Sequence, residues 1–204
     1  PMSYYAASFY NKITGFLGIK RGIERFILKS EELDLPPKPK ILDAGCGFGI
    51  ASFAFLKRYP DAIIYACDDR PEMLHLIKEE ARRSSFNLNN FHIQKVRLDN
   101  LENTYPENYF DCVITNGSLE RSDYFFTLPM IYKVLKKHGV YLNLAFKDNF
   151  WGKLIGFFIK IKPIPEAELK MALKGVEFFD IRKENFGLSS VATELSRVAF
   201  LGNK

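Results

Sequence analysis

The stretch Ile41-Leu42-Asp43-Ala44-Gly45-Cys46-Gly47-Phe48-Gly49 decides how the chain is read. A short apolar run ends in an acid, opens into three glycines within five residues, and is followed at 50–58 by a segment of helical periodicity. Glycines at a strand-to-helix turn admit positive φ and let the backbone come closer to a ligand than any Cβ would allow. They could also serve only to make a tight turn, but their place directly after a strand points to a loop that cradles a nucleoside-containing cofactor. The spacing is G-x-G-x-G, and Ile50 stands where a dinucleotide fingerprint needs its third glycine, which argues against NAD. Gly45, Cys46, Gly47 and Gly49 are the first candidate ligand-binding residues.

Outward from this loop the pattern repeats. Short β-rich runs at 40–43, 62–67, 91–95, 111–115 and 140–145 alternate with helix-length amphipathic stretches at 50–58, 71–83 and 125–137. Connections of that length join parallel neighbours, with right-handed crossovers. The remainder predicts a helix at 165–173 and strands at 177–182 and 197–201, joined only by a loop at 183–196, so the last pair is antiparallel. The fold class is α/β: a seven-stranded, mostly parallel sheet with helices on both faces and its last strand antiparallel. Ahead of it, residues 3–30 carry Phe9, Ile13, Phe16, Leu17, Ile23, Phe26 and Ile27 at helical spacing, broken near Gly18 and closed by Pro36-Pro37. The expected organisation is a single domain over 1–204: a helical arm (1–38), a cofactor-binding core (39–146), and a substrate-side helix with the last two strands (147–204).

Composition narrows the function classes. Of 204 residues 47% are hydrophobic, enough for a packed core, and the formal charge is +5. That excess would suit an anionic partner, but pairs such as Arg82-Arg83 and Lys136-Lys137 are scattered along helix faces and read as solvated surface. Cys46, Cys67 and Cys112 form no CxxC pair, so neither a zinc site nor a disulfide framework is expected. No apolar run reaches the ~18 residues of a membrane span, and the first residues lack a signal pattern. The expectation is a reducing, cytoplasmic setting with no bound metal.

Two further positions extend the loop. About twenty residues after it, Ile63-Ile64-Tyr65-Ala66-Cys67-Asp68-Asp69 ends a strand in acids, where a carboxylate can accept from both ribose hydroxyls. Asp68 is the choice for the ribose, with Asp69 beside the adenine edge mainly through its backbone. Asp99 follows the third strand. Its carboxylate is placed to accept from an exocyclic amine, with the Asn100 N–H donating to the ring.

Taken in order, these residues resemble the class I S-adenosylmethionine-dependent methyltransferases, in their small-molecule type 11 branch. The match runs from Ile41 to Ala145. Residues 41–49 resemble motif I, and 65–74 resemble the segment bearing the ribose acid. The run 105–111 resembles the lead-in to the fourth strand, Asn116-Gly117-Ser118-Leu119-Glu120 the segment after it, and 133–139 the turn into the fifth strand. The resemblance implies a Rossmann-like fold, S-adenosylmethionine as cofactor with S-adenosylhomocysteine as product, and in-line methyl transfer. It adds Asp43, which orients the loop or the methionine ammonium, and Asn116 to the cofactor-binding set. Arg121 stands where that branch often has His, and Lys137-His138 replaces the common Pro-Gly. Asn-Gly-Ser-Leu rather than Asn-Pro-Pro-Tyr after the fourth strand disfavours methylation of nucleobase amines.

No catalytic residue is assigned. Glu120, Asp123 and Tyr10 are base candidates by presumed proximity, each with a plainer role in packing or capping, and His75, His92 and His138 lack catalytic spacing. The segment 149–163, with Phe150, Trp151, Leu154, Ile155, Phe157, Phe158 and Ile159 beside Lys153, Lys160 and Lys162, reads as a lid over an apolar substrate, an interfacial helix on anionic lipid, or core. The expected acceptor is small or lipid-like. The alternatives are an RNA methyltransferase, for which only the basic balance speaks, and a non-catalytic regulatory protein that binds S-adenosylmethionine.

Overall fold

The computed structural model describes residues 18–187 and 191–204. Helix α1 (Ile19–Lys29) precedes β1 (Lys40–Ala44), α2 (Ile50–Arg58), β2 (Ile63–Asp68), α3 (Pro71–Arg83) and β3 (Phe91–Lys95). A 3-10 turn (Leu98–Asn100) and the short α4 (Leu101–Thr104) lead into β4 (Phe110–Asn116), followed by a second 3-10 turn (Leu119–Arg121), α5 (Tyr124–Val134) and β5 (Leu135–Phe146). Then come α6 (Phe150–Ile159), α7 (Glu166–Gly175), β6 (Phe179–Glu184), α8 (Val191–Ser196) and β7 (Arg197–Asn203). The strands form one seven-stranded sheet in the order β3-β2-β1-β4-β5-β7-β6. β1 to β5 are parallel, and β7 lies antiparallel between β5 and β6.

Strand side chains alternate between faces, so β1 feeds two cores. Leu42 and Ala44 join the side covered by α5 and α7, where Leu128, Ile131, Leu169 and Leu173 are buried. Ile41 joins the side covered by α1 and α2, with Ile23, Ile27, Ala51 and Phe55. Each fully buried Leu, Ile or Phe contributes roughly 1.5–3 kcal/mol, so the paired cores hold the helices against both faces of the sheet. The strand order reverses between β1 and β4, and a crevice opens there at the carboxyl ends of the strands.

Three boundaries differ from the sequence reading. The fifth helix ends at Val134 rather than 137, because buried Leu135 already pairs with Phe110 and the polar Lys136–Gly139 bulge is clamped by the final residue: His138 N–H donates to the Lys204 carbonyl at 2.6 Å. β6 starts two residues later than expected, since Glu177 turns through a left-handed φ of 71° to leave α7. The expected 183–196 loop contains α8, whose Thr193 packs against Gly22 of α1. Of the helical arm, α1 buries Ile19, Ile23, Phe26 and Ile27 as its periodicity requires, while Phe9, Ile13, Phe16, Leu17 and Tyr10 lie outside the described residues.

Candidate cofactor and acceptor site

The glycine loop is built by the end of β2. Gly45 and Cys46 N–H groups both donate to the Cys67 carbonyl at 2.8 Å, and Gly47 N–H donates to Asp68 Oδ2 at 3.0 Å. Gly45 is required twice over. Its φ is +76°, and a Cβ there would fall on the Ser118 side chain, whose hydroxyl donates to the Ala44 carbonyl at 2.6 Å.

Asp43 stands behind this loop and lines neither cavity of the crevice. Its Oδ2 accepts from the Ser52 N–H at 3.0 Å and the Ser52 hydroxyl at 2.6 Å, tying the strand end to the first turn of α2. Its Oδ1 is buried with no hydrogen-bond partner, and burial pushes the carboxyl up to about 6, against the lowering effect of the Ser52 bonds. Within the protein itself Asp43 thus joins the end of β1 to the start of α2.

Asp68 ends β2 with only 2% of its surface exposed. Its Oδ1 accepts from the Arg70 backbone N–H at 3.0 Å and from Arg70 Nε at 2.9 Å, while Oδ2 accepts from Arg70 Nη2 at 3.0 Å. The guanidinium thus presents two parallel N–H donors to the carboxylate, the arrangement in which a vicinal diol presents two O–H donors. A similar pair lies across the crevice: Arg97 Nη2 meets Asp99 Oδ2 at 2.6 Å, and this contact holds the Asp99 carboxyl below its usual range.

Two cavities meet at the loop. The larger, of about 430 Å³, is lined by Gly45, Asp68, Asp69 and Asp99 together with Leu98 and Ser118, and falls within the ~300–1,000 Å³ of ligand pockets. The smaller, of about 70 Å³, is lined by Gly45, Cys46, Gly47 and Asn116 with Phe48 and Arg197. Gly45, Arg70, Ser118 and Arg121 border both. The structure therefore gathers Gly45, Cys46, Gly47, Asp68, Asp69, Asp99 and Asn116 around one continuous crevice. Gly49 and Asn100 lie outside it: Gly49 is the N-cap of α2, and the Asn100 N–H expected at the ring donates instead to the Arg97 carbonyl at 3.1 Å within its own turn.

The arginines are what sequence reasoning missed. Arg70 and Arg97 each sit two residues from the acid they hold, a local spacing that could have flagged them. Arg197, 4% exposed and with its guanidinium 3.4 Å from the Phe146 ring centroid, comes from the last strand, and nothing local marks it. Its Nη1 reaches Asn116 Oδ1 at 3.3 Å and the Leu144 carbonyl at 3.0 Å.

Two of the three base candidates, Glu120 and Asp123, lie among the described residues, and both make structural hydrogen bonds. Glu120 is buried, which raises its pKa, and its Oε1 accepts from the Phe146 N–H at 2.8 Å. Asp123 caps α5 by accepting from the Phe125 N–H at 3.2 Å, and it also lines the larger cavity. Among the described residues neither cavity is lined by a histidine. His75 lies beside Glu79 on the α3 surface, and His92 packs on Tyr65. No group of acids, histidines and cysteines among the described residues is arranged to hold a metal ion.

Comparison with known proteins places the glycine loop within a recognised domain. Residues 41–139 match the family described as "Methyltransferase domain". The malonyl-[acyl-carrier protein] O-methyltransferase 1 of Ilyobacter polytropus is 30% identical over 150 residues, 72% of this chain and 52% of that protein. The trans-aconitate 2-methyltransferase of an Enterobacter species is 31% identical over 110 residues, 53% of this chain and 39% of that one. The chain thus spans about half the length, or less, of these curated relatives. Among solved structures, a SAM-dependent methyltransferase from Archaeoglobus fulgidus superposes with a TM-score of 0.67 at 18% identity, covering 91% of this chain and 93% of the other. With the strand order, the glycine loop and the matched span in agreement, residues 41–139 form a methyltransferase domain on the Rossmann-like fold of the S-adenosylmethionine-dependent methyltransferases.

Proposed function

We propose that this chain transfers a methyl group from S-adenosylmethionine to a small or lipid-like acceptor. The observation that carries the reading is the juxtaposition of Gly45, Asp68, Asp69 and Asp99 in one cavity, with a second chamber joined to it at Gly45. The residues fit the cofactor on a specific point: Arg70 already donates two parallel hydrogen bonds to Asp68, where a ribose diol would donate its own. Asp68 would hold the ribose, Asp69 and Asp99 the adenine edge, and the glycine loop the methionine portion. When bound, S-adenosylmethionine supplies an electrophilic methyl on its sulfonium. The chain's own share is positioning. Two reactants held in line lose little further entropy at the transition state, and a walled chamber strips water from the nucleophile.

The second chamber, at about 70 Å³, receives only the reacting end of an acceptor, between apolar and polar walls. Phe48, Met73, Phe146 and Ile161 supply apolar walls, and Arg121 and Arg197 the polar ones. The curated relatives act on malonyl-[acyl-carrier protein] and trans-aconitate, which supports a small acceptor here too. The three free, buried thiols suit a reducing compartment such as the cytoplasm. No helix among the described residues is long and apolar enough to cross a membrane.

Calorimetric titration of S-adenosylmethionine and S-adenosylhomocysteine tests the cofactor, with loss of both isotherms expected in Asp68→Ala. Labelled-methyl transfer to metabolite, lipid and RNA extracts then tests the acceptor class. Full-strength binding by Asp68→Ala, or label appearing only in RNA, would overturn the reading.

A further inference from the structure

Helix α6 is turned the wrong way round for a buried helix. Its sequence, Phe150-Trp151-Gly152-Lys153-Leu154-Ile155-Gly156-Phe157-Phe158-Ile159, places bulk and glycine on opposite sides. Phe150, Trp151, Leu154, Phe157 and Phe158 recur at i, i+1, i+4, i+7 and i+8 and form one stripe. That stripe faces out: Phe150 is 70% exposed, Phe157 79% and Phe158 75%, with Trp151 and Leu154 exposed beside them. The buried side is Gly152, Gly156 and Ile159.

The glycines prevent the helix from rolling over. A Cβ at Gly152 would collide with the Lys147 carbonyl, and one at Gly156 with the Ile161 carbonyl, so the backbone lies directly against its neighbours on that side. Asn149 fixes the start, its Oδ1 accepting from the Gly152 N–H at 2.8 Å and its Nδ2 donating to the Leu195 carbonyl at 2.9 Å. An aromatic stripe held in water by such rigid packing costs free energy that a covering partner would recover.

The charge pattern selects the partner. From Asn149 to Pro165 the chain carries Lys153, Lys160 and Lys162 and no acid. Lys153 leans to Asp148 at 2.8 Å, while Lys160 and Lys162 make no ion pair among the described residues. On the helix Lys153 borders the aromatic stripe, while Lys160, which ends the helix with a left-handed φ of 57°, and Lys162 follow as exposed cations just beyond it. Protein interfaces are depleted of lysine, whereas a helix lying in a membrane interface sets Trp and Phe in the acyl boundary and Lys against anionic headgroups.

We propose that α6 is a docking helix for an anionic lipid surface, lying in the plane of the interface with its aromatic stripe inserted. The end of the helix lies at the mouth of the crevice: Ile159 lines the smaller cavity, and Arg121, which borders both cavities, donates to the Ile159 carbonyl at 2.7 Å. Phe126, 67% exposed, adds an apolar side chain on the rim of the larger cavity. Docking therefore seats the crevice against the lipid, and, resting on the methyl-transfer reading above, makes the acceptor an amphiphile drawn from the bilayer.

Trp151 is the chain's single tryptophan and reports directly. With phosphatidylglycerol vesicles its emission shifts to the blue and is quenched by brominated acyl chains; with phosphatidylcholine alone it stays put. Each headgroup-facing lysine strengthens binding about fivefold, so Lys160→Glu/Lys162→Glu loses affinity and salt dependence together. Phe157→Ser/Phe158→Ser lowers vesicle affinity more than about tenfold, with far-UV dichroism and cofactor titration unchanged. Unmoved Trp151 emission with anionic vesicles, undiminished binding by the serine variant, or a response to an acidic carrier protein but not to vesicles overturns the proposal. The readout needs no cofactor. Docking without cofactor binding would sink the methyltransferase reading alone, and cofactor binding without docking would sink this one alone.

Discussion

Asp43→Asn isolates the buried acid that stands behind the glycine loop. The carboxyl is 1% exposed and its pKa is pushed from an ordinary 3.8 to about 6, chiefly by burial, so the folded state binds its proton more tightly than the unfolded chain does. For a group raised in this direction the stabilising contribution is complete below the unfolded value and is lost as pH climbs through the folded one. Ionising Asp43 at neutral pH therefore costs the fold about 3 kcal/mol, from the ~1.36 kcal/mol that each tenfold shift represents. Asparagine keeps an acceptor for the Ser52 N–H and never ionises. It changes the intercept by whatever the weaker Ser52 bonds and the reoriented amide are worth, but it removes the pH dependence. Urea unfolding of both proteins from pH 4 to pH 8 should show the stability difference moving in the variant's favour by about 2.5 kcal/mol, most of it between pH 4 and pH 6.5. A difference that stays flat across that range would refute the burial argument. Cofactor affinity within a few-fold of the parent identifies Asp43 as a strut for the loop, whereas a loss of two orders of magnitude means the carboxylate reaches the ligand's cation.

Arg70→Ala leaves the Asp68 carboxylate buried without its guanidinium, and should lower the stability of the ligand-free protein by about 2 kcal/mol, less than a fully buried pair because Arg70 is partly exposed. Thermal melts with and without saturating S-adenosylhomocysteine check it, and a deficit that ligand does not narrow counts against a shared carboxylate. Gly45→Ala must place a Cβ at φ +76° on top of Ser118, so a loss of roughly 2–4 kcal/mol and of cofactor binding is expected by denaturant titration and calorimetry. The Cys46, Cys67 and Cys112 thiols are buried and pushed up in pKa, Cys67 to about 12. An aromatic disulfide reagent at pH 8 should modify them only as fast as the protein opens, and a stoichiometric burst at any of them would show that the loop is not closed as described.

Legibility in the sequence followed the range of the cause. Where a residue's role depends on neighbours within one turn or one strand, the reading located it: the apolar run of β1, the glycines at its end and the acid closing β2 all rest on local backbone requirements. It slipped where a distant segment intervenes. The helix predicted to 137 stops at Val134 because Leu135 finds Phe110 and Lys204 clamps His138, contacts from two other parts of the chain. Arg197 reaches the crevice across the antiparallel β5–β7 pairing, and no spacing near it could reveal that. Asn100 failed for the opposite reason. Its N–H was spent inside a 3-10 turn too short to leave a periodic signal. For α6 the sequence showed an amphipathic helix but not which side was wet, since that was set by glycines packing on Lys147 and Ile161.

The pairing of Asp68 with Arg70 bears on how tightly the site can hold its ligand. A buried carboxylate with no partner would be costly, and Arg70 offsets that cost while making the two hydrogen bonds that, on the proposed placement, a ribose diol would make. Binding is then an exchange of one two-pronged donor for another, so the net gain at this position is small even though both arrangements are well bonded. The apparent affinity equals the intrinsic affinity scaled by the fraction of molecules in which Arg70 has let go. Gly47 N–H, donating to the same carboxylate at 3.0 Å, stays in place through either arrangement and keeps the acid aimed at the crevice. On the proposed placement, discrimination comes from parts of the ligand that meet no such substitute, above all the adenine edge by Asp69 and Asp99.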